Sequence, residues 1–329
     1  MAKMTAGTIR SKKKQSMKYV LFLQDLGLTH DETCNLLEKI DCRHEPIWSE
    51  DFDAHKVRDD VELLVTSDHK VNIPALKKQW PQLKMVSLAF TGFDGVDLAF
   101  ARSRGIKTYY VPGYATSSVA ELNLALTLSI LRRIPTADRT IRKGEWHDQV
   151  YPGIELAKKM VGIVGTGTIG LKTAHLFQAF GCSIIGWSRS VRDEFVEIGG
   201  TYVSEEAVFL ESDIVVLCLQ LNDNTRHFVG RTQLERMKRG AILINTARSE
   251  LVDRAALLPL LAQEKIFAGI DVFEEKTEKG GKDELFEFGN VVLTPHLGFK
   301  TKEALQRLAE EAIENIGRFL AGSDENLLK

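Results

Sequence analysis

Val161-Gly162-Ile163-Val164-Gly165-Thr166-Gly167-Thr168-Ile169-Gly170 is the stretch on which the reading of this chain turns. An apolar run ends at Gly165, and a segment of helical period opens at once and continues to about Phe180. In that setting each glycine has a separate task. Gly165 permits a tight turn, Gly167 lets backbone approach a pyrophosphate, and Gly170 lets the helix pack close to the strand. Thr168 and Ile169 fall in the first helical turn, whose unpaired N–H groups and positive end potential suit an anion. A glycine triad alone could be only a turn. Here Ser183 to Trp187 supplies a second strand and completes a strand-helix-strand unit for a dinucleotide.

The residue that ends this second strand indicates which dinucleotide. A carboxylate there accepts hydrogen bonds from the ribose hydroxyls of NAD. This chain has Ser188-Arg189-Ser190 instead, with Arg192 close behind. Hydroxyls beside a guanidinium suit a 2′-phosphate, which Arg can pair in a charge-assisted, bidentate way. The expected cofactor is NADP, with NAD as the alternative.

Outward from this unit, short runs rich in Val, Ile and Leu alternate with longer helical stretches, the pattern of parallel sheets covered by helices. Tyr19 to Leu23, Glu62 to Thr66, Met85 to Leu88 and Lys107 to Tyr110 form one set of candidate strands. Val161 to Val164, Ile184 to Trp187, Ile214 to Leu219, Ala241 to Asn245, Phe267 to Asp271 and Val291 to Leu293 form another. Between them Ser118 to Arg133 reads as one linking helix, with a stripe of Val119, Leu122, Leu126, Ile130 and Ile134 and its polar residues outward. Thr301 to Leu320 reads as a last helix returning to the first domain. The expectation is an α/β protein of two Rossmann-like or flavodoxin-like domains with parallel sheets. Residues 17–117 plus 298–329 form a substrate domain, residues 118–297 the dinucleotide-binding domain, and residues 1–16 a disordered tail.

Composition agrees with two soluble domains. The chain has 329 residues, 44% hydrophobic and 27% charged, more than one core usually organises. A formal charge of −2 argues against a nucleic-acid surface, and the dense basic run Arg10 to Lys14 reads as solvated tail. No apolar stretch is long enough to span a bilayer. Cys34, Cys42, Cys182 and Cys218 show no paired or metal-ligand spacing, so a reducing, cytoplasmic setting without a bound metal is expected.

Three strand ends carry the candidate chemistry: Asn245-Thr246-Ala247-Arg248, Gly269-Ile270-Asp271-Val272-Phe273, and Thr294-Pro295-His296-Leu297-Gly298. In an open parallel sheet, ligands bind beyond the carboxyl ends of strands, so Arg248, Asp271 and His296 can converge. Alone, an Arg at a strand end is ordinarily a solvated cap, and a lone His satisfies a core hydrogen bond. Taken in order with Phe90 to Asp97, Val111-Pro112-Gly113-Tyr114 and Ser118-Val119-Ala120-Glu121, the chain after Met17 resembles the D-isomer-specific 2-hydroxyacid dehydrogenase family.

The resemblance implies a reductase of small 2-keto acids, of the glyoxylate or hydroxypyruvate type, yielding D-2-hydroxy acids. Arg248 would hold the substrate carboxylate and His296 would be the acid and base. Thr91 and Gly92 would offer backbone N–H groups to that carboxylate. Thr246, Ala247 and Asp271 would contact the nicotinamide, with Thr225 nearer the pyrophosphate. The family also implies a homodimer around the linking helix. Members usually carry a Glu that supports the His five positions after the Asp of Gly-x-Asp-Val-Phe; here Lys276 stands there. Glu274 and Glu275 precede it and Glu278 follows, and Glu275 is taken as the catalytic carboxylate. Without one, reduction should weaken at neutral pH and improve in acid. A dinucleotide-sensing interaction protein and an oxidative D-3-phosphoglycerate-type dehydrogenase are the alternatives.

Overall fold

Among the described residues of the computed structural model, every ladder between strands is parallel. The structure describes residues 17–51, 58–69, 71–93, 95–146 and 152–329, those at 51 and 275 without their side chains. The expected tail 1–16, with its basic run, and His147 lie outside the described residues. In chain order the elements are β1 (Tyr19–Phe22), α1 (His30–Lys39), β2 (Glu45–Trp48), β3 (Val61–Thr66), α2 (Ile73–Gln79), β4 (Met85–Leu88), α3 (Leu98–Ser103), β5 (Lys107–Tyr110), α4 (Thr116–Leu131) and α5 (Ile134–Arg142). There follow β6 (Met160–Val164), α6 (Thr168–Ala179), β7 (Ser183–Trp187), α7 (Asp193–Glu197), β8 (Thr201–Tyr202), α8 (Glu205–Glu211), β9 (Ile214–Leu217) and α9 (Arg231–Arg236). The chain closes with β10 (Ile242–Asn245), α10 (Arg254–Ala262), β11 (Phe267–Ile270), α11 (Glu275–Glu278), β12 (Val291–Leu293) and α12 (Lys302–Ala321). It divides into two compact units, Met1–Pro112 with Leu308–Lys329, and Gly113–Arg307.

The first unit holds a five-stranded sheet in the order β2-β1-β3-β4-β5. Its central strands are largely buried, which is why they read as mostly apolar runs: Leu21, Leu63, Leu64, Met85 and Val86 are fully buried. The carboxyl end of α12 belongs to this unit. Ser87 Oγ donates to Ala312 O at 2.8 Å, and Asn315 Nδ2 donates to Tyr110 O at 3.0 Å. Beyond the helix, Asn326 O accepts from Tyr110 N at 3.1 Å and Leu328 N donates to Thr108 O at 2.9 Å, so the chain runs along β5.

The second unit is a seven-stranded sheet ordered β12-β11-β10-β9-β6-β7-β8. Its connections reverse direction between β6 and β9, the place where such sheets take a dinucleotide. Two strands, β2 and β8, are not among those expected. β2 is Glu-Pro-Ile-Trp with an edge proline, and β8 has 2 residues, so neither presents an apolar run.

The expected linking helix is corrected in three respects. It spans Thr116–Leu131 rather than Ser118 to Arg133. The chain then turns at Arg133, whose φ is 51°, and Ile134, read as part of the buried stripe, opens α5 at 51% exposure. Finally, Ser118, Asn123 and Thr127 do not face outward but are buried. α4 is covered on several sides because it packs on α6, β10 and β11. Gly269 on β11 makes that approach feasible, since a Cβ there would stand 3.0 Å from Leu126 Cβ and 2.7 Å from Ile244 Cδ1.

Candidate active site

The glycine turn has the shape its sequence requires. Gly165 has a φ of 96° and lies so close to Cys218 that a Cβ would stand 2.7 Å from that residue's carbonyl oxygen. At Gly170 a Cβ would meet Gly165 O at 2.0 Å. Gly167 faces open space, and no side chain caps α6. The first-turn N–H groups, those of Thr168 and Ile169 among them, are left for a ligand, which fits a pyrophosphate.

Beyond β7, Ser188 is half-buried while Arg189 and Ser190 are exposed. Among the described residues neither Arg189 nor Arg192 has an ion-pair partner. Thr225 is occupied in a turn: its hydroxyl donates to Gln220 O at 2.7 Å and accepts from Asn222 N at 2.8 Å. Thr246 likewise turns its hydroxyl inward, donating to Asn123 Oδ1 at 2.8 Å, while Asn123 Nδ2 donates to Thr173 Oγ1 at 3.1 Å. Thr246 therefore offers backbone rather than hydroxyl to its surroundings.

Arg248 follows β10. Asn245 Nδ2 donates to Arg248 O at 2.8 Å and Asn245 Oδ1 accepts from Ala247 N at 3.1 Å, so one buried amide shapes the loop. The guanidinium is turned back toward the strand end, donating from Nη1 to Ala247 O at 2.8 Å.

Asp271, at the end of β11, is fully buried, and its carboxylate organises the neighbouring loop. Oδ1 accepts from Thr294 Oγ1 at 2.6 Å and from Leu297 N at 2.7 Å, and Oδ2 accepts from Gly298 N at 2.8 Å. Ser118 Oγ donates to Gly298 O at 2.6 Å and secures the far side. Between these anchors His296 has a φ of 55°, in the left-handed region that non-glycine residues seldom adopt. Such strain persists where the surroundings over-determine it, and it gathers at functional sites.

The electrostatics of His296 are mixed. Burial holds the imidazole below its ordinary range, Asp271 and Glu278 push upward, and Arg248 and Lys300 push it further down. Two neighbours received no role from the sequence. Phe299 meets the His296 ring edge to face at 5.5 Å, and Tyr114 meets Phe299 at 6.4 Å. Tyr114 is 8% exposed, and burial pushes its phenol up to about 12 although Arg248 opposes the shift. A tyrosine just before a helix is unremarkable in sequence; only its approach to Arg248 marks it.

Of the expected carboxylates, Glu275 opens α11 but its side chain lies outside the described residues. Glu278 ends the same short helix and acts on His296. The helix is held through Thr277, whose hydroxyl donates to Asp283 Oδ2 at 2.8 Å, and Asp283 is in turn paired with Arg254. Thr91 and Gly92 belong to the first unit, where Thr91 Oγ1 donates to Val111 O at 2.6 Å. Among the described residues no group of His, Cys, Asp and Glu could hold a metal, and no helix is long and apolar enough to cross a membrane.

Residues 124–298 match the family described as D-isomer specific 2-hydroxyacid dehydrogenase, NAD binding domain. A glyoxylate reductase of Thermococcus litoralis is 40% identical over 276 residues, covering 81% of this chain and 82% of that protein. The chain belongs to the D-isomer specific 2-hydroxyacid dehydrogenase family. Members of this family are NAD(P)-dependent oxidoreductases, and solved structures agree on the fold. A D-lactate dehydrogenase from Aquifex aeolicus, complexed with NAD and lactic acid, superposes with a TM-score of 0.78 at 26% identity, covering 94% of this chain and 98% of that one. An acyclic imino acid reductase in complex with NADPH and D-Arg gives 0.81 at 26% identity, with 94% of this chain and 100% of that one covered. The two-domain parallel α/β architecture read from the sequence is thus the architecture of the family.

Proposed function

We propose that this family member reduces small 2-keto acids of the glyoxylate and hydroxypyruvate type to D-2-hydroxy acids, with NADPH preferred over NADH. The observation that carries the reading is His296, strained and pinned between Asp271 contacts, with Arg248 from the neighbouring strand end in electrostatic reach of it. The glycine turn and the first turn of α6 hold the dinucleotide; when bound, its nicotinamide supplies the hydride. Arg248 pairs the substrate carboxylate and, by drawing density from the adjacent carbonyl, favours negative charge on its oxygen. The imidazolium of His296 gives its proton to that oxygen, and the neutral ring removes it in reverse. Tyr114, its phenol pushed up to about 12 by burial, lies in electrostatic reach of Arg248. Thr91 and Gly92 of the substrate domain, residues 17–117 plus 298–329, are candidate N–H donors to a carboxylate, and residues 118–297 form the dinucleotide-binding domain.

The carboxylate partner of His296 is supplied by α11. Glu278 already favours the charged ring, and Glu275 shares the helix. A homodimer is supported by α5, which has no buried residue and leaves Ile134 and Ile141 each 51% exposed, with Trp146 beyond it at 77%. Sedimentation of the full chain tests that assignment; a monomer at micromolar concentration refutes it. Activity is tested by following NADPH absorbance with glyoxylate, hydroxypyruvate and bulkier keto acids, then repeating with NADH. Turnover with a higher kcat/KM for NADPH is expected. Cofactor binding without turnover on any keto acid would sink the catalytic reading and favour a dinucleotide sensor.

A further inference from the structure

Tyr202 lies on β8, the two-residue edge strand that the sequence did not disclose. Its phenolic oxygen is 2.7 Å from Thr166 Oγ1 and accepts a hydrogen bond from the backbone N of Arg192 at 3.0 Å. Thr166 is the middle residue of Gly165-Thr166-Gly167, and Arg192 closes the loop that begins at Ser188. One hydroxyl therefore joins the segment suited to a pyrophosphate to the segment suited to a 2′-phosphate.

The ring has a seat of its own. It lies against Phe195 with centroids 4.9 Å apart, and Phe195 is fully buried. A Cβ at either Gly186 or Gly200 would stand 2.5 Å from Phe195 ring atoms, so both glycines make room for that side chain. Packing is thus separable from the hydroxyl. Loss of the oxygen leaves the ring in place and unties the two segments. Thr166 is 1% exposed, so its hydroxyl faces Tyr202 rather than solvent. Arg189 and Arg192 are exposed, and their placement over a ligand depends on where the backbone of the loop is held.

We propose that Tyr202 is a positioning residue for the cofactor, its hydroxyl fixing the Ser188 to Arg192 loop against the glycine turn at the spacing a 2′-phosphorylated dinucleotide needs. The inference rests on the NADP(H) preference proposed above. NADH, lacking the 2′-phosphate, draws little from that loop and is correspondingly indifferent.

The test is Tyr202→Phe in the full chain, with dissociation constants for NADPH and NADH, steady-state constants, and a thermal melt. The NADPH constant is expected to rise roughly tenfold, the scale of a net hydrogen bond. That for NADH should stay within about twofold, as should kcat at saturating NADPH and the KM for glyoxylate, since no reacting group is touched. An unchanged NADPH constant, or equal weakening of both cofactors, overturns the proposal; a purely structural role gives the second result with a lowered melt. Arg189→Ala run alongside separates the two readings. If it leaves the NADPH to NADH ratio unchanged, the preference itself fails; if it lowers the ratio while Tyr202→Phe does not, only the role of Tyr202 fails.

Discussion

His296 combines two demands that ordinarily conflict: a side chain able to move a proton and a backbone in the left-handed region. Asn tolerates that backbone but cannot serve as acid or base. His296→Asn should therefore melt within a few degrees of the parent while kcat for ketoacid reduction falls by about 10²- to 10⁴-fold, the usual scale of general acid catalysis. Residual activity near the parent level would remove His296 from the mechanism. The pH dependence follows from the direction of its shift. Reduction requires the protonated ring, and the folded protein holds its pKa below the ordinary value. Activity should thus be full in acid and decline as pH rises through that lowered pKa. Glu278 favours the charged form, so Glu278→Gln should move the declining limb of kcat/KM to lower pH, and Glu275→Gln does the same if it shares the role. Profiles that coincide with the parent for both variants would show that α11 does not tune the histidine.

Elements differ in how openly they declare themselves. β3, β4, β9 and β10 are largely buried and appear in sequence as mostly apolar runs; Arg248 and His296 are legible because each lies three residues past the end of an apolar strand, β10 and β12. α4 shows the opposite. The stretch Ser118 to Arg133 reads as a one-faced stripe, yet within α4 Asn123 and Thr127 are fully buried, because a polar residue satisfied by Thr173, Thr246 or its own helix can lie inside. A pattern of apolar and polar letters cannot distinguish that from an outward face. The support of His296 was obscure for another reason, since Lys276 occupies the position where a carboxylate is expected and α11 has only 4 residues. The seat of α4 on β11 can be probed at Gly269. Gly269→Ala should cost about 1–3 kcal/mol of stability by overpacking against Leu126 and Ile244. A melt equal to the parent would show that α4 yields without strain.

For the whole molecule, the division into two units makes ligand effects local. At about 100 times its dissociation constant, NADPH stabilises the unit that binds it by roughly 2.7 kcal/mol. Hydrogen exchange should slow across Gly113–Arg307, most of all around Gly165 to Ile169, and much less in Met1–Pro112. Uniform slowing along the chain would show that binding is not confined to the second unit. The edges of the two sheets have a different consequence. β5 is flanked by the chain from Asn326 to Leu328, β8 has 2 residues, and β2 carries Pro46, which has no N–H to offer. An incoming strand needs a row of open donors and acceptors. At these three edges it finds little to pair with, so the proline that conceals β2 in the sequence also makes its edge a poor template for aggregation.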